Sequence, residues 1–104
     1  MISIEELRKL CNDETIIMTS HILDMLRERN IRYGDIKDTI MLGEIIEQYP
    51  ADYPFPSCLI LGIIKNSGLH VVAGIGEERI WIITAYRPSS DKWEDDLKTR
   101  KAVK

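Results

Sequence analysis

A chain of 104 residues, 44% hydrophobic and 30% charged, has the composition of one globular domain, with no room for a second independent core. Its formal net charge of −3 counts against a non-specific nucleic-acid binder, whose affinity rests on Lys and Arg displacing counterions from phosphates. The longest apolar run is far too short to cross a bilayer, so no membrane association is expected.

Ser3-Ile4-Glu5-Glu6 reads as a capping box, and the stripe Ile4, Leu7, Leu10, Cys11 predicts a helix over about 4–12. Thr15–Thr19 is short and β-branched, which predicts a strand. Ser20 to Ile31 then predicts a second helix, with Thr19 or Ser20 as N-cap. Gly34-Asp35 opens a third, with Ile36, Ile40 and Met41 on one side and Gly43 as its stop. Glu44–Tyr49 has the look of an edge strand, and Pro50, Pro54 and Pro56 break regular structure after it. Cys58–Lys65, Leu69–Ile75 and Ile80–Arg87 predict three further strands, joined through Asn66-Ser67-Gly68 and Gly76-Glu77-Glu78-Arg79. A last helix is expected from Lys92 or Trp93. The fold class is α+β: helices on one face of an antiparallel meander of three to five strands, in one domain over 1–104.

Charge is unevenly spread. Residues 1–52 hold 6 Lys/Arg against 11 Asp/Glu, and residues 53–104 hold 8 against 6. The tail 97–104 carries four cations and no acid. It reads either as a solvated terminus or as an anion contact that an acidic partner covers. Cys11 and Cys58 form no C-x-x-C pair, and no signal-peptide pattern precedes them, so free thiols in the cytoplasm are expected.

On the second helix, 100° steps place Ile22, Leu23, Met25 and Leu26 on the buried face, with His21 at its edge. Arg29 falls near the middle of that face. It either snorkels out to solvent or bonds helix-terminal carbonyls, or it is held against the sheet toward a carboxylate or phosphate, with its partner expected in the C-terminal half of the sheet. In the meander, closure through Asn66-Ser67-Gly68 pairs Leu59, Leu61 and Ile63 with Ile75, Ala73 and Val71. A Glu77-Glu78 turn sets Trp81 against Gly74 and makes His70 and Arg87 diagonal neighbours. No G-x-S-x-G, H-E-x-x-H or phosphate-binding glycine loop is present. Two histidines and two separated cysteines are poor metal ligands, so neither a metal nor a cofactor is expected.

Ser20-His21 with Arg27-Glu28-Arg29-Asn30-Ile31, then Gly43-Glu44-Ile45-Ile46-Glu47, then Ile83-Thr84-Ala85-Tyr86-Arg87-Pro88 and Lys92-Trp93 resemble a prokaryotic domain of unknown function, the DUF family numbered four-two-five-eight. The resemblance spans roughly residues 15–100, and Asn30 stands where that family usually has glycine. The family looks similar in fold to the RelE/ParE and BrnT type II toxins. That likeness implies a metal-independent ribonuclease with His21, His70 and Tyr86 as acid/base groups and Arg29, Arg87 and Lys92 on the phosphate. The implied partners are RNA and a cognate antitoxin protein, with a homodimer left open. The alternative is a non-catalytic module that binds a protein through a sheet edge or the proline loop. Convergence of His21, Arg29, His70 and Arg87 on one cleft separates the two.

Overall fold

In the computed structural model, which describes residues 1–102, the capping box forms as expected. Ser3 Oγ accepts the Glu6 N–H at 3.2 Å and Glu6 accepts the Ser3 N–H at 3.1 Å, starting α1 (Ile4–Lys9). After β1 (Ile16–Ile17), the Thr19 hydroxyl accepts the Ile22 N–H and caps α2 (Ser20–Glu28). The end of α2 is a Schellman motif. The Ile31 N–H reaches the Leu26 carbonyl at 2.9 Å and the Asn30 N–H reaches Arg27 at 3.1 Å. Asn30 is left-handed there, with φ 55°, a conformation Asn tolerates nearly as well as Gly. Asp35 then accepts the Arg32 N–H and opens α3 (Tyr33–Leu42). Gly43 ends α3 for want of space rather than through a left-handed turn. Its backbone is extended, and a Cβ there would stand 2.3 Å from the Leu61 carbonyl oxygen.

β2 (Glu44–Tyr49), β3 (Ser57–Ile64), β4 (Ser67–Gly76) and β5 (Arg79–Tyr86) form the antiparallel meander. β1 adds a parallel edge to β5, so the sheet order is β1-β5-β4-β3-β2. The β3–β4 hairpin closes through a two-residue turn instead of the expected three, which slides the pairing by three residues. Lys65 and Asn66 are both left-handed (φ 52° and 66°), and Ile64 pairs with Ser67. Leu59 therefore faces Val72, and Leu61 faces His70. Because side chains alternate along a strand, this odd shift moves His70 onto the face of Leu59 and Leu61. The Trp81–Gly74 pairing is as expected, but a bulge follows between Val72 and Ala73. It sets Tyr86, rather than Ala85, directly across from His70, so Arg87 is not the diagonal neighbour expected.

The three helices cover one face. Ile22, Leu26, Ile36 and Ile40 pack with Cys58, Ile60, Leu69, Val71, Ile80 and Ile82 into the main core. Leu23, expected inside, is exposed. Leu59 and Leu61 are buried on the opposite face, which the proline loop and residues 88–102 cover. The expected terminal helix does not form. A single turn starts on the Ser89 carbonyl, which accepts Lys92 and Trp93, and then stops. Asp96 Oδ1 accepts the amides of Lys98 and Thr99 at 2.9 Å each, offering the backbone a local alternative to a helix. Leu97 is left-handed (φ 61°), and Trp93 bridges to Arg100. The segment is thus an irregular strap across the back of the sheet.

Candidate functional site

The six predicted site residues do not form one cleft. His21 is exposed at the start of α2, on the helix-covered side. His70 points to the opposite side and is 0% exposed. Its Nε2 lies 2.7 Å from the Leu97 carbonyl oxygen and its Nδ1 3.2 Å from the Tyr86 hydroxyl. A carbonyl only accepts, so Nε2 carries the proton and Nδ1 accepts from Tyr86. Burial pushes the His70 pKa down, against a smaller upward pull from the Leu97 carbonyl and Glu47. The ring is neutral, satisfied at both nitrogens, and packed edge-on against Trp93 at a centroid distance of 4.5 Å. It is a keystone under the strap rather than an accessible base.

Arg29 does find its partner in the C-terminal half of the sheet, but the group is neutral. It donates to the Ala85 carbonyl at 2.7 Å and to Thr84 Oγ1 at 3.4 Å. It is exposed rather than central to the apolar face because the helix ends at Glu28 and Arg29 is the C-cap. Arg87 answers in the other direction, donating to the Arg29 carbonyl at 2.7 Å and to the Asn30 carbonyl at 3.1 Å. Two arginines therefore brace the end of α2 against β5. Each satisfies carbonyls that the helix end or the β5 edge, paired with β1 only at Ile80 and Trp81, leaves open.

Three predicted residues do meet. Tyr86, Arg87 and Lys92 line a cavity of about 420 Å³ with Ser89, Trp93 and Arg100. No acid lines it, although Glu47 holds Arg100 from outside through two bonds of 2.9 Å. That pair keeps the Glu47 carboxyl below the usual carboxylate range, opposed by partial burial and helped by the Tyr49 hydroxyl. Arg100 also lies 4.6 Å from the Trp93 ring centroid, a cation–π contact. The sequence assigns Glu47, Trp93 and Arg100 no role in a site. The contiguous cations of the tail were visible, but their partners lie some fifty positions away in the chain.

A second cavity, of about 680 Å³, opens beside the proline loop. Phe55 and Trp81 build its wall at a ring separation of 5.5 Å, with Ile22 and Ile83 beside them. Tyr53 is 95% exposed at its rim, and Asp52 and Glu77 supply the rim charges. Gly76 is small because Phe55 needs the space, since a Cβ there would be 2.1 Å from the ring. Neither thiol is suited to nucleophilic chemistry. Burial pushes Cys58 up to about 12 and also raises Cys11. Among the described residues no three His, Cys, Asp or Glu side chains are grouped to hold a metal, and no helix is long and apolar enough to cross a membrane.

Against that geometry, the family described as Domain of unknown function (DUF4258) matches residues 18–87. The chain belongs to that family. The match runs from the approach to α2 through Arg87, so it contains the arginine brace, His70 and the proline loop. It leaves out α1, Lys92 and the strap with Trp93 and Arg100. No curated protein and no solved structure matches the chain.

Proposed function

We propose that this domain is a non-catalytic interaction module that takes a protein segment in the proline-loop cavity. The observation that carries the reading is the cavity itself: an aromatic wall of Phe55 and Trp81 with exposed Tyr53 at its mouth. Aromatic side chains of this kind dominate the binding energy of protein interfaces. The Asp52 and Glu77 rim favours a segment that inserts an apolar side chain and carries Lys or Arg beside it. The catalytic alternative lacks its acid/base pair, because His21 and His70 stand on opposite sides of the sheet and His70 is enclosed. Selection from a displayed library of random peptides tests the proposal. Enriched peptides should share an apolar residue flanked by a cation, and Tyr53→Ser should weaken them at least tenfold at unchanged thermal stability. A library that yields no common motif, or peptides indifferent to Tyr53→Ser, overturns it. So does growth arrest on induction that disappears with His21→Ala, which restores the ribonuclease reading.

A further inference from the structure

The cavity behind Tyr86 has a neighbour. A second hollow of about 260 Å³ lies between the end of α2, the start of α3 and the β3–β4 turn, and Arg32, Lys65 and Arg87 line it. Arg87 lines both hollows, which adjoin at that residue. Together they form a bent groove with five cations along it: Arg32, Lys65, Arg87, Lys92 and Arg100. Asp35 is the single acid in its lining, and it is held by the Arg32 backbone N–H.

Four of the five have no ion-pair partner among the described residues; only Arg100 is matched, by Glu47. The chain as a whole carries a net charge of −3, so this concentration does not reflect a generally basic protein. Arg87 is also held in place. Its two bonds to the carbonyls of Arg29 and Asn30 use two of the five N–H donors of a guanidinium and leave three for a ligand. Ser67 and Ser89 add a hydroxyl to each hollow.

We infer that this groove binds a ligand carrying phosphates in succession, such as a single-stranded nucleic acid backbone or a polyphosphate. A lone phosphate reaches one hollow only. A linear polyanion occupies both, with Arg87 at the crossing, and guanidinium and ammonium groups are the side chains suited to phosphate oxygens. The groove is separate from the proline-loop cavity and does not depend on that reading.

The test uses a fluorescein-labelled 12-nucleotide single-stranded RNA titrated with the full chain at low salt. Inorganic polyphosphate, inorganic phosphate and polyglutamate serve as competitors. Binding should weaken linearly on a log–log salt plot, with a slope of about −0.7 per phosphate engaged. Lys65→Gln/Lys92→Gln, two exposed changes, should weaken binding at least tenfold and flatten the slope by roughly 1.4, the loss of two contacts. Competition by polyphosphate at matched phosphate concentration supports the groove and makes the phosphate row alone the ligand. RNA that resists polyphosphate also supports it and assigns a nucleic acid strand. No binding by the wild-type chain, an unchanged slope in the double variant, or equal competition by inorganic phosphate or polyglutamate overturns the inference.

Discussion

The two faces of the sheet are covered by different physics. In front, three helices bury Ile22, Leu26, Ile36 and Ile40 against Ile60, Val71 and Ile80. Behind, an irregular strap is tied down by named polar contacts: Lys98 to Glu44 at 2.6 Å, Arg100 to Glu47, and the Leu97 carbonyl to His70. The front face draws on apolar area, which is insensitive to pH and weakly sensitive to salt. The back face adds charge and one imidazole to the burial of Leu59, Leu61 and Trp93, and both additions depend on solution conditions. One small sheet therefore has a cover that solvent composition scarcely touches and a cover that it can loosen.

Breaking the front should cost most. Ile60→Ala removes a fully buried side chain from the core, and about 2–5 kcal/mol of stability should be lost in urea unfolding followed by circular dichroism. His70→Ala should cost less, roughly 1–3 kcal/mol, by leaving the Leu97 carbonyl without its donor. Its distinctive sign is local: trypsin should cut at Lys98 and Arg100 well before the sheet unfolds. If His70→Ala instead melts the sheet as Ile60→Ala does, the two covers are one cooperative unit and the comparison fails.

Acid should act chiefly on the back face, since on the front the lowered carboxyl it meets is the exposed Asp13, bonded to Tyr33 and Lys37. His70 is held below its ordinary 6.5, mainly by burial, so the unfolded strap binds protons more readily than the folded one. Its contribution is complete above about pH 6.5 and declines as pH falls toward the lowered folded value. Glu47 has the same sign, because Arg100 depresses its pKa from 4.5. Its contribution fades as pH falls below the ordinary carboxylate range. Amide exchange, corrected for its intrinsic pH dependence, should show strap protection lost in two stages while β3 and β4 stay protected. His70→Gln should erase the first stage, and a single stage in the wild-type chain would sink this account. Smallest of all should be Lys98→Ala. It breaks an exposed ion pair, so the shift in unfolding midpoint should be the least of the series and vanish in molar salt.

Much of the front face was legible in the residues because its signals are local. The β2 bounds, the Thr19 cap and the Ser3 capping box each follow from a few neighbouring positions, whereas the second helix stops at Glu28, short of the expected Ile31. The back face was not, because nothing local encodes it. Residues 94–96 are acids without helical apolar spacing, and the strap's ties reach across the sheet to Glu44, Glu47 and His70. Register failed for a narrower reason. Lys65 and Asn66 took the left-handed positions that Asn66-Ser67-Gly68 advertise, and the bulge after Val72 has no glycine to announce it. Arg29 was misplaced by carrying helical phase one residue past the last helical position. Of the site, Tyr86, Arg87 and Lys92 were named only through the family resemblance, and in different roles. His70's enclosure was not readable, since only the true register sets it beneath Trp93.

The reciprocal arginines at the end of α2 have a mechanical meaning. A helix of nine residues is about 13 Å long, and these bonds clamp it at its C-terminal end only. Thr19 and Ile22, at the opposite end, form part of the proline-loop cavity. The same nine-residue helix thus joins two features at opposite ends: its last turn is fixed by the arginine brace, and its first turn, through Thr19 and Ile22, supplies part of the cavity wall.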